Sequence, residues 1–327
     1  MIDVAEMVKN TNMFELAQKT NHTVDLTAAE TEIAEELDAQ FKEIGETGRD
    51  NDLVISQFLR KVINQEIYEA PDEILENMFE MDSIGEADDY SAVLMPPENT
   101  LVAYEAGKGG NVPKSFLDFS AVTPTWKNLQ VESDISFADL RRNGWKTVSL
   151  IAENAVAALK NSRFAVVMAA LDNAIVSGAP NYITEATTMP TATSMDALAT
   201  YIAERQENGD AVILGLYKYI LAASKLQSAS DAMKDEMYRN GILSYYGGIP
   251  MKYVSSAKKV QGQLMLPDKR IFGVAGKIGT MTQKGDIRTY EVENPNREYV
   301  HLMWKDYTFG YAISTAALEK VAKIVLA

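Results

Sequence analysis

Along the first 80 residues apolar side chains recur every three or four positions, a spacing that predicts helices separated by polar breaks. The clearest is TAAETEIAEELDAQFKEI, where Ile33, Leu37, Phe41 and Ile44 share one face and Thr27 stands three residues before Glu30 as a capping box. Gly45 and Gly48 are expected to end it. A second helix is expected in LVISQFLRKVINQEI, with Val54, Phe58, Val62 and Gln65 on one face and Pro71 as its stop. The acidic, turn-rich EMDSIGEADDYSA then reads as a hinge. From residue 99 to 137 the helical period gives way to alternation and the glycines cluster, which predicts a long β-hairpin. Its arms are NTLVAYEA and FLDFSAVTPTWKNLQVESDI, and its tip runs from Gly107 to Lys114. A hairpin with so few core-grade residues needs support, from its own chain or another.

Trp145 to Val176 carries the strongest helical signal, through Val148, Ile151, Ala155, Leu159, Phe164, Met168, Leu171 and Ile175. It amounts to a rod of roughly 45 to 50 Å, with Asn143 and Gly144 at its start and Gly178 as a left-handed stop. Beyond it, helices and short strands alternate. A helix over SMDALATYIAERQENG is expected to be capped by Ser194 and stopped by Gly209, and another spans LYKYILAASKLQ. Strands are expected in AVILG, GIPMKYV, KRIFGVAG, IRTYEVE and REYVHLMWKDYTFGYAIS, and AALEKVAKIV reads as a closing amphipathic helix. This mixture points to an α+β architecture with largely antiparallel pairing.

At 327 residues and 46% hydrophobic composition the chain can bury a substantial core. No apolar run approaches the roughly 18 residues of a membrane span, and MIDVAEMVKN lacks the marks of a secretory signal, so the chain is expected to fold where it is made. Charge changes the picture more. The net charge is -15, yet residues 1 to 90 hold 23 Asp/Glu against 6 Lys/Arg while the remainder holds 23 against 25. An acidic first quarter repels phosphate, and the rest shows no dominant basic stripe.

Candidate chemistry is thin. Absent cysteine removes disulfides, thiolate nucleophiles and cysteine-based zinc sites. Only His22 and His301 are available to a triad or a metal centre; His301, among the apolar residues of EYVHLMW, reads as a packed or hydrogen-bonded core residue. GVAGKIG at 273–279 resembles a phosphate loop only superficially, since Ile278 follows Lys277 where Ser or Thr is needed, and reads as a tight turn. Glu35 with Glu36, and Glu291 with Glu293, read as solvated faces. The tip residues Gly107, Lys108, Gly109, Gly110 and Lys114 make a pliable cationic end suited to carboxylates of a neighbouring subunit.

The order of these elements resembles the Hong Kong 97 family of tailed-phage major capsid proteins. Residues 103–131 are similar to the family's extended loop and Trp145 to Val176 to its spine helix. DALATYIAERQENGDAVILG with YYGGIPMKYV looks like its axial domain, and LPDKRIFGVAGKIG through WKDYTFGYAIS like the return into its peripheral domain. The resemblance implies an acidic helical N-terminal arm over 1–94, an extended loop over 95–140, a peripheral domain from 141–194 and 276–327, and an axial domain over 195–275. It further implies a shell protein without cofactors or catalysis, forming hexamers and pentamers around double-stranded DNA bound without sequence specificity. Portal and scaffold or decoration proteins would be its other partners, the virion its location, and the bacterial host cytoplasm its place of assembly. The loop tip would lie over an adjacent subunit, the stretch from Ser136 to Gly144 would serve as a hinge, and the acidic segment would be a retained arm wrapping neighbours. Some members of the family crosslink a loop lysine to an asparagine, here Lys108 or Lys114 with Asn294 or Asn296. An encapsulin enclosing a cargo enzyme shares the fold, and a small oligomeric hydrolase relying on His301 or a carboxylate pair is the reading from another class.

Overall fold

The computed structural model describes residues 12–22, 24–50, 53–69, 73–88, 93–94, 121–206, 211–226, 242–294, 298–315 and 317–327. The acidic first quarter forms four helices, α1 (Met13–Asn21), α2 (Ala28–Thr47), α3 (Val54–Glu69) and α4 (Glu73–Met78). Each of the first three starts on a side chain that accepts the otherwise orphaned amides of the first turn. Asn12 caps α1, Thr27 and Glu30 form the expected capping box on α2, and buried Asp50 accepts the Val54 and Ile55 amides of α3 at 2.9 and 2.8 Å. α2 continues through Gly45 and ends at left-handed Gly48.

α4 runs straight into β1 (Phe79–Ile84), so the start of the expected hinge is a strand. Phe79 and Ile84 are buried, and parallel pairing with a later strand supplies the backbone partners that an isolated acidic segment lacks. Two short strands, β2 (Val93–Leu94) and β3 (Ala121–Val122), pair antiparallel. β4 (Thr125–Ser136) follows, then α5 (Phe137–Asn143), capped by Ser136, in the stretch expected to hinge.

The long helix is α6 (Trp145–Ala174). Its start differs from expectation, because Asn143 ends α5 and the Trp145 amide is instead accepted by Asp38 of α2 at 3.1 Å. Gly144, at φ +44°, permits this approach: a Cβ there would lie 2.1 Å from Asp38 Oδ1. The helix stops at Ala174 with extended Ile175, and Gly178 takes its positive φ later, in the following turn.

Around Trp145 the N-terminal helices and α6 become one body. The indole stacks on Phe41 at 6.2 Å, meets Phe58 edge-on at 5.2 Å, and donates from Nε1 to Thr20 at 3.1 Å. Polar ties run alongside, from Asn21 to Glu153 at 2.8 Å and from Lys160 to Glu66 at 2.6 Å. Over its described length the N-terminal region is therefore packed on its own chain. Its buried apolar residues share one core with those of α5 and α6.

The second half comprises β5 (Tyr182–Glu185), α7 (Ala192–Ala203), β6 (Ala211–Leu216), α8 (Tyr217–Ser224), β7 (Tyr245–Tyr246), β8 (Ile249–Val254), β9 (Lys259–Val260), β10 (Gln263–Leu264), β11 (Arg270–Ala275), β12 (Gly279–Lys284), β13 (Arg288–Asn294), β14 (Tyr299–Ile313) and β15 (Val321–Leu326). Thr191, not Ser194, caps α7; Ser194 is its capping-box partner. Gly209 lies outside the described residues. One sheet has the order β1-β12-β14-β13, with β4 along the other edge of β14; the second runs β5-β15-β11-β6-β8-β7. The second hairpin arm thus finds its support on the chain's own longest strand, from Tyr299↔Ser136 to Tyr311↔Thr125 with a bulge between Trp304 and Tyr307.

The closing helix is not observed. Ala317–Lys320 makes one 3-10 turn, and Val321–Leu326 is a strand between β11 and β5. Buried Val321, Ala322 and Ile324 satisfy the continuous burial of a central strand, and tertiary pairing overrides a weak helical period. Buried Lys323 on this strand reaches Asp172 in the last turn of α6 at 2.8 Å and its carbonyl at 2.6 Å, while Arg270 of β11 reaches the same carboxylate at 3.3 Å. Two cations at a helix C-terminus complement its dipole and fasten α6 to the second sheet.

Candidate assembly interface

The loop-tip residues Gly107, Lys108, Gly109, Gly110 and Lys114 lie outside the described residues, as does Asn296. Asn294 ends β13. The described residues present sheet edges. β4 and β13 flank β14, and β1 forms an outer edge of the same sheet. On β13, Tyr290 and Val292 stand 41% and 50% exposed, on the opposite face from Glu291. At the far end of the second sheet, Tyr217 and Tyr253 pack edge to face at 5.1 Å while both remain exposed, with exposed Tyr245 on the neighbouring strand. Tyrosine is a side chain that protein interfaces favour, since it offers area with a polar tip.

The candidate catalytic groups are not brought together. His22 bonds Glu153 at 3.0 Å, whereas His301 on β14 bonds Asp134 of β4 at 2.5 Å. His301 is thus a cross-strand polar pair at the sheet surface, its side chain 30% exposed. No group of three or more metal-ligating side chains occurs among the described residues. GVAGKIG is the end of β11, a turn at Gly276 with φ +123°, and the start of β12; no helix opens after it, so it lacks the helix N-terminus that a phosphate loop uses.

Glu291 and Glu293 depart from the solvated face expected of them. Every second residue of β13 faces α3, so Glu291 accepts the Ser56 amide at 3.2 Å and Glu293 accepts the Asp50 amide. Three carboxylates therefore gather at the start of α3. Burial, then the charge of Asp50, pushes the Glu291 carboxyl up to about 7, against a Ser56 hydrogen bond that lowers it. A raised carboxyl favours folding fully below its unfolded value near 4.5, and this contribution is lost as pH rises through about 7. Glu291→Gln keeps an acceptor for Ser56 without the charge. At pH 8 the variant is expected to be more stable than the parent by roughly 1–2 kcal/mol, a figure reduced for partial exposure, and the difference should vanish near pH 4.5. Thermal melts of both proteins across this range check it; a constant difference would mean that Glu291 does not titrate there. The partner was invisible in sequence because Glu291 and Ser56 are 235 residues apart.

No family profile and no curated protein matches the sequence. Among solved structures the chain is similar to the capsid of Cyanophage P-SCSP1u, with 11% identity and a TM-score of 0.51 over 79% of this chain and 89% of that one. It is similar to a structure from Mycobacterium phage Bobi, with 14% identity and a TM-score of 0.51 over 79% and 91%. The capsid of a native GTA particle gives 11% identity and a TM-score of 0.51 over 76% and 88%. At such identities the likeness is one of fold, and it spans most of each relative's length. The chain has the α+β, Hong Kong 97-type fold of phage capsid proteins.

Proposed function

We propose that this chain is a major capsid protein that assembles with copies of itself into the hexamers and pentamers of an icosahedral phage head enclosing double-stranded DNA. The observation that carries the reading is the fold, matched over 79% of the chain to a cyanophage capsid. Its role is structural, with no reaction assigned to it. In this reading residues 1–94 are an N-terminal region folded on the spine helix, 95–140 the extended loop, 141–194 with 276–327 the peripheral domain, and 195–275 the axial domain at the ring centres. Tyr217, Tyr245 and Tyr253 then belong to the axial contacts. DNA is held without sequence specificity, and portal and scaffold or decoration proteins are the remaining partners. The subunit is made in the bacterial host cytoplasm and ends in the virion.

The tip from Gly107 to Lys114 reaches a neighbouring copy through Lys108 and Lys114. Reversing both charges, K108E with K114E, is expected to lower the assembled fraction several-fold by sedimentation while leaving subunit melting unchanged, since rim charges act on association more than on folding. Unaltered assembly would remove the tip from the interface. For the reading as a whole, the purified chain is expected to sediment as particles of megadalton mass; a stable monomer or small oligomer under all assembly conditions would overturn it.

A further inference from the structure

The first three amides of α3 are each held by a carboxylate. Asp50 takes those of Val54 and Ile55 at 2.9 and 2.8 Å, Glu291 takes that of Ser56 at 3.2 Å, and Glu293 takes the amide of Asp50 itself. Glu291 and Glu293 reach over from β13, so these bonds join the N-terminal helices to the first sheet. One negative charge suits a helix start, but carboxylates that share a site repel one another.

The charges that weigh most on Glu291 are Asp50 and Glu293, both of its own sign. Arg49, next to Asp50, is exposed, and Arg60 of α3 turns to Asp286 at 4.0 Å. Neither these nor Lys61 of α3 is among the groups that set the Glu291 carboxyl. From β14 the residues opposite Glu291 and Glu293 are buried Leu302 and Val300, while His301 and Lys305 alternate onto the other face. Glu291 uses only Oε2 on Ser56; its Oε1 is buried without a hydrogen-bond partner. A protonated carboxyl tolerates such a place and a carboxylate does not. The turn that these bonds close is also costly, since Leu53 enters α3 at φ +53°, a conformation that non-glycine residues seldom hold, with its side chain 47% exposed.

We propose that the contact between the first turn of α3 and β13 is a proton-operated latch. It is shut while Glu291 keeps its proton and opens locally, ahead of the rest of the subunit, once Glu291 is ionised. Because burial and Asp50 raise this carboxyl to about 7, closing is fully favoured below about 4.5 and loses its advantage as pH rises through about 7. The latch belongs to the folded subunit and does not depend on the assembly reading.

Hydrogen exchange of the unassembled full-length chain reads the latch at the Val54, Ile55 and Ser56 amides, as protection factors corrected for the intrinsic rate at each pH. From pH 5.5 to 8.5 their protection is expected to fall by at least about tenfold, the equivalent of one unit of the raised carboxyl. E291Q keeps an acceptor for Ser56 without the charge, and its protection should stay constant over the range. The Val156 and Leu159 amides of α6 are expected to remain at least about tenfold better protected at both pH values, since core helices open only with the whole subunit. Should E291Q fail to fold, the parent carries the test: the carbon-13 titration of the Glu291 carboxyl must share its midpoint with the loss of protection. Unchanged protection in the parent, an equal fall in E291Q, one common protection factor for α6 and the first turn of α3, or separate midpoints would overturn the proposal.

Discussion

Replacing Trp145 with alanine is expected to destabilise the subunit by about 3–5 kcal/mol, a large share of the roughly 5–15 kcal/mol that holds a typical domain together. The indole is 2% exposed and is the piece on which Phe41 of α2, Phe58 of α3 and Thr20 of α1 meet. Its loss leaves two phenyl rings facing a cavity and a hydroxyl without its donor. W145F keeps an aromatic ring but loses the Nε1 bond and the volume of the second ring, so about 1–3 kcal/mol is expected for it. Denaturant midpoints on the two variants separate the terms. Limited proteolysis should show W145A cut first between the N-terminal helices, since these docked helices depend on that ring. If W145A costs less than about 1 kcal/mol, the N-terminal region does not share a core with α6.

Removing the Asp172 carboxylate is expected to cost about 3–5 kcal/mol, while removing its partner Lys323 costs far less. The asymmetry follows from burial. Asp172→Ala leaves the 4%-exposed Lys323 ammonium with the Asp172 carbonyl as its one hydrogen-bond acceptor among the described residues, whereas Lys323→Met replaces a costly charge by an apolar chain and leaves Asp172 bound to Arg270. Met also suits the buried central strand β15. Equilibrium unfolding of D172A, K323M and the double variant gives the check. The double should recover most of what D172A loses; a double variant that is merely the sum of the two singles would show that the pair does not interact.

Much of this fold was legible because its signals are local. The Thr27–Glu30 capping box and the apolar stripe from Val148 to Leu171 need only neighbours within a turn or two, and both appear where the sequence puts them. What escaped reading depends on partners far along the chain. Asp38 caps α6 across 107 residues. β1 and β15 are strands only because β12 and β11 lie beside them. AALEKVAKIV does carry a helical period, but Val321 and Ile324 also suit a buried strand, and the sheet decides. Arg163 had a signal that went unused: it sits four residues after Leu159 and four before Val167, on the apolar stripe, where an arginine is out of place unless something answers it, as the Tyr307 hydroxyl does at 2.9 Å.

Shell formation is tested most directly by electron microscopy of the purified full-length chain after concentration under assembly conditions. Uniform closed particles several hundred ångströms across are expected, with pentameric and hexameric rings in three-dimensional reconstruction and the long α6 resolved within each subunit. A population made only of monomers or of particles with a few subunits, with the fold intact by circular dichroism, would contradict a capsid role.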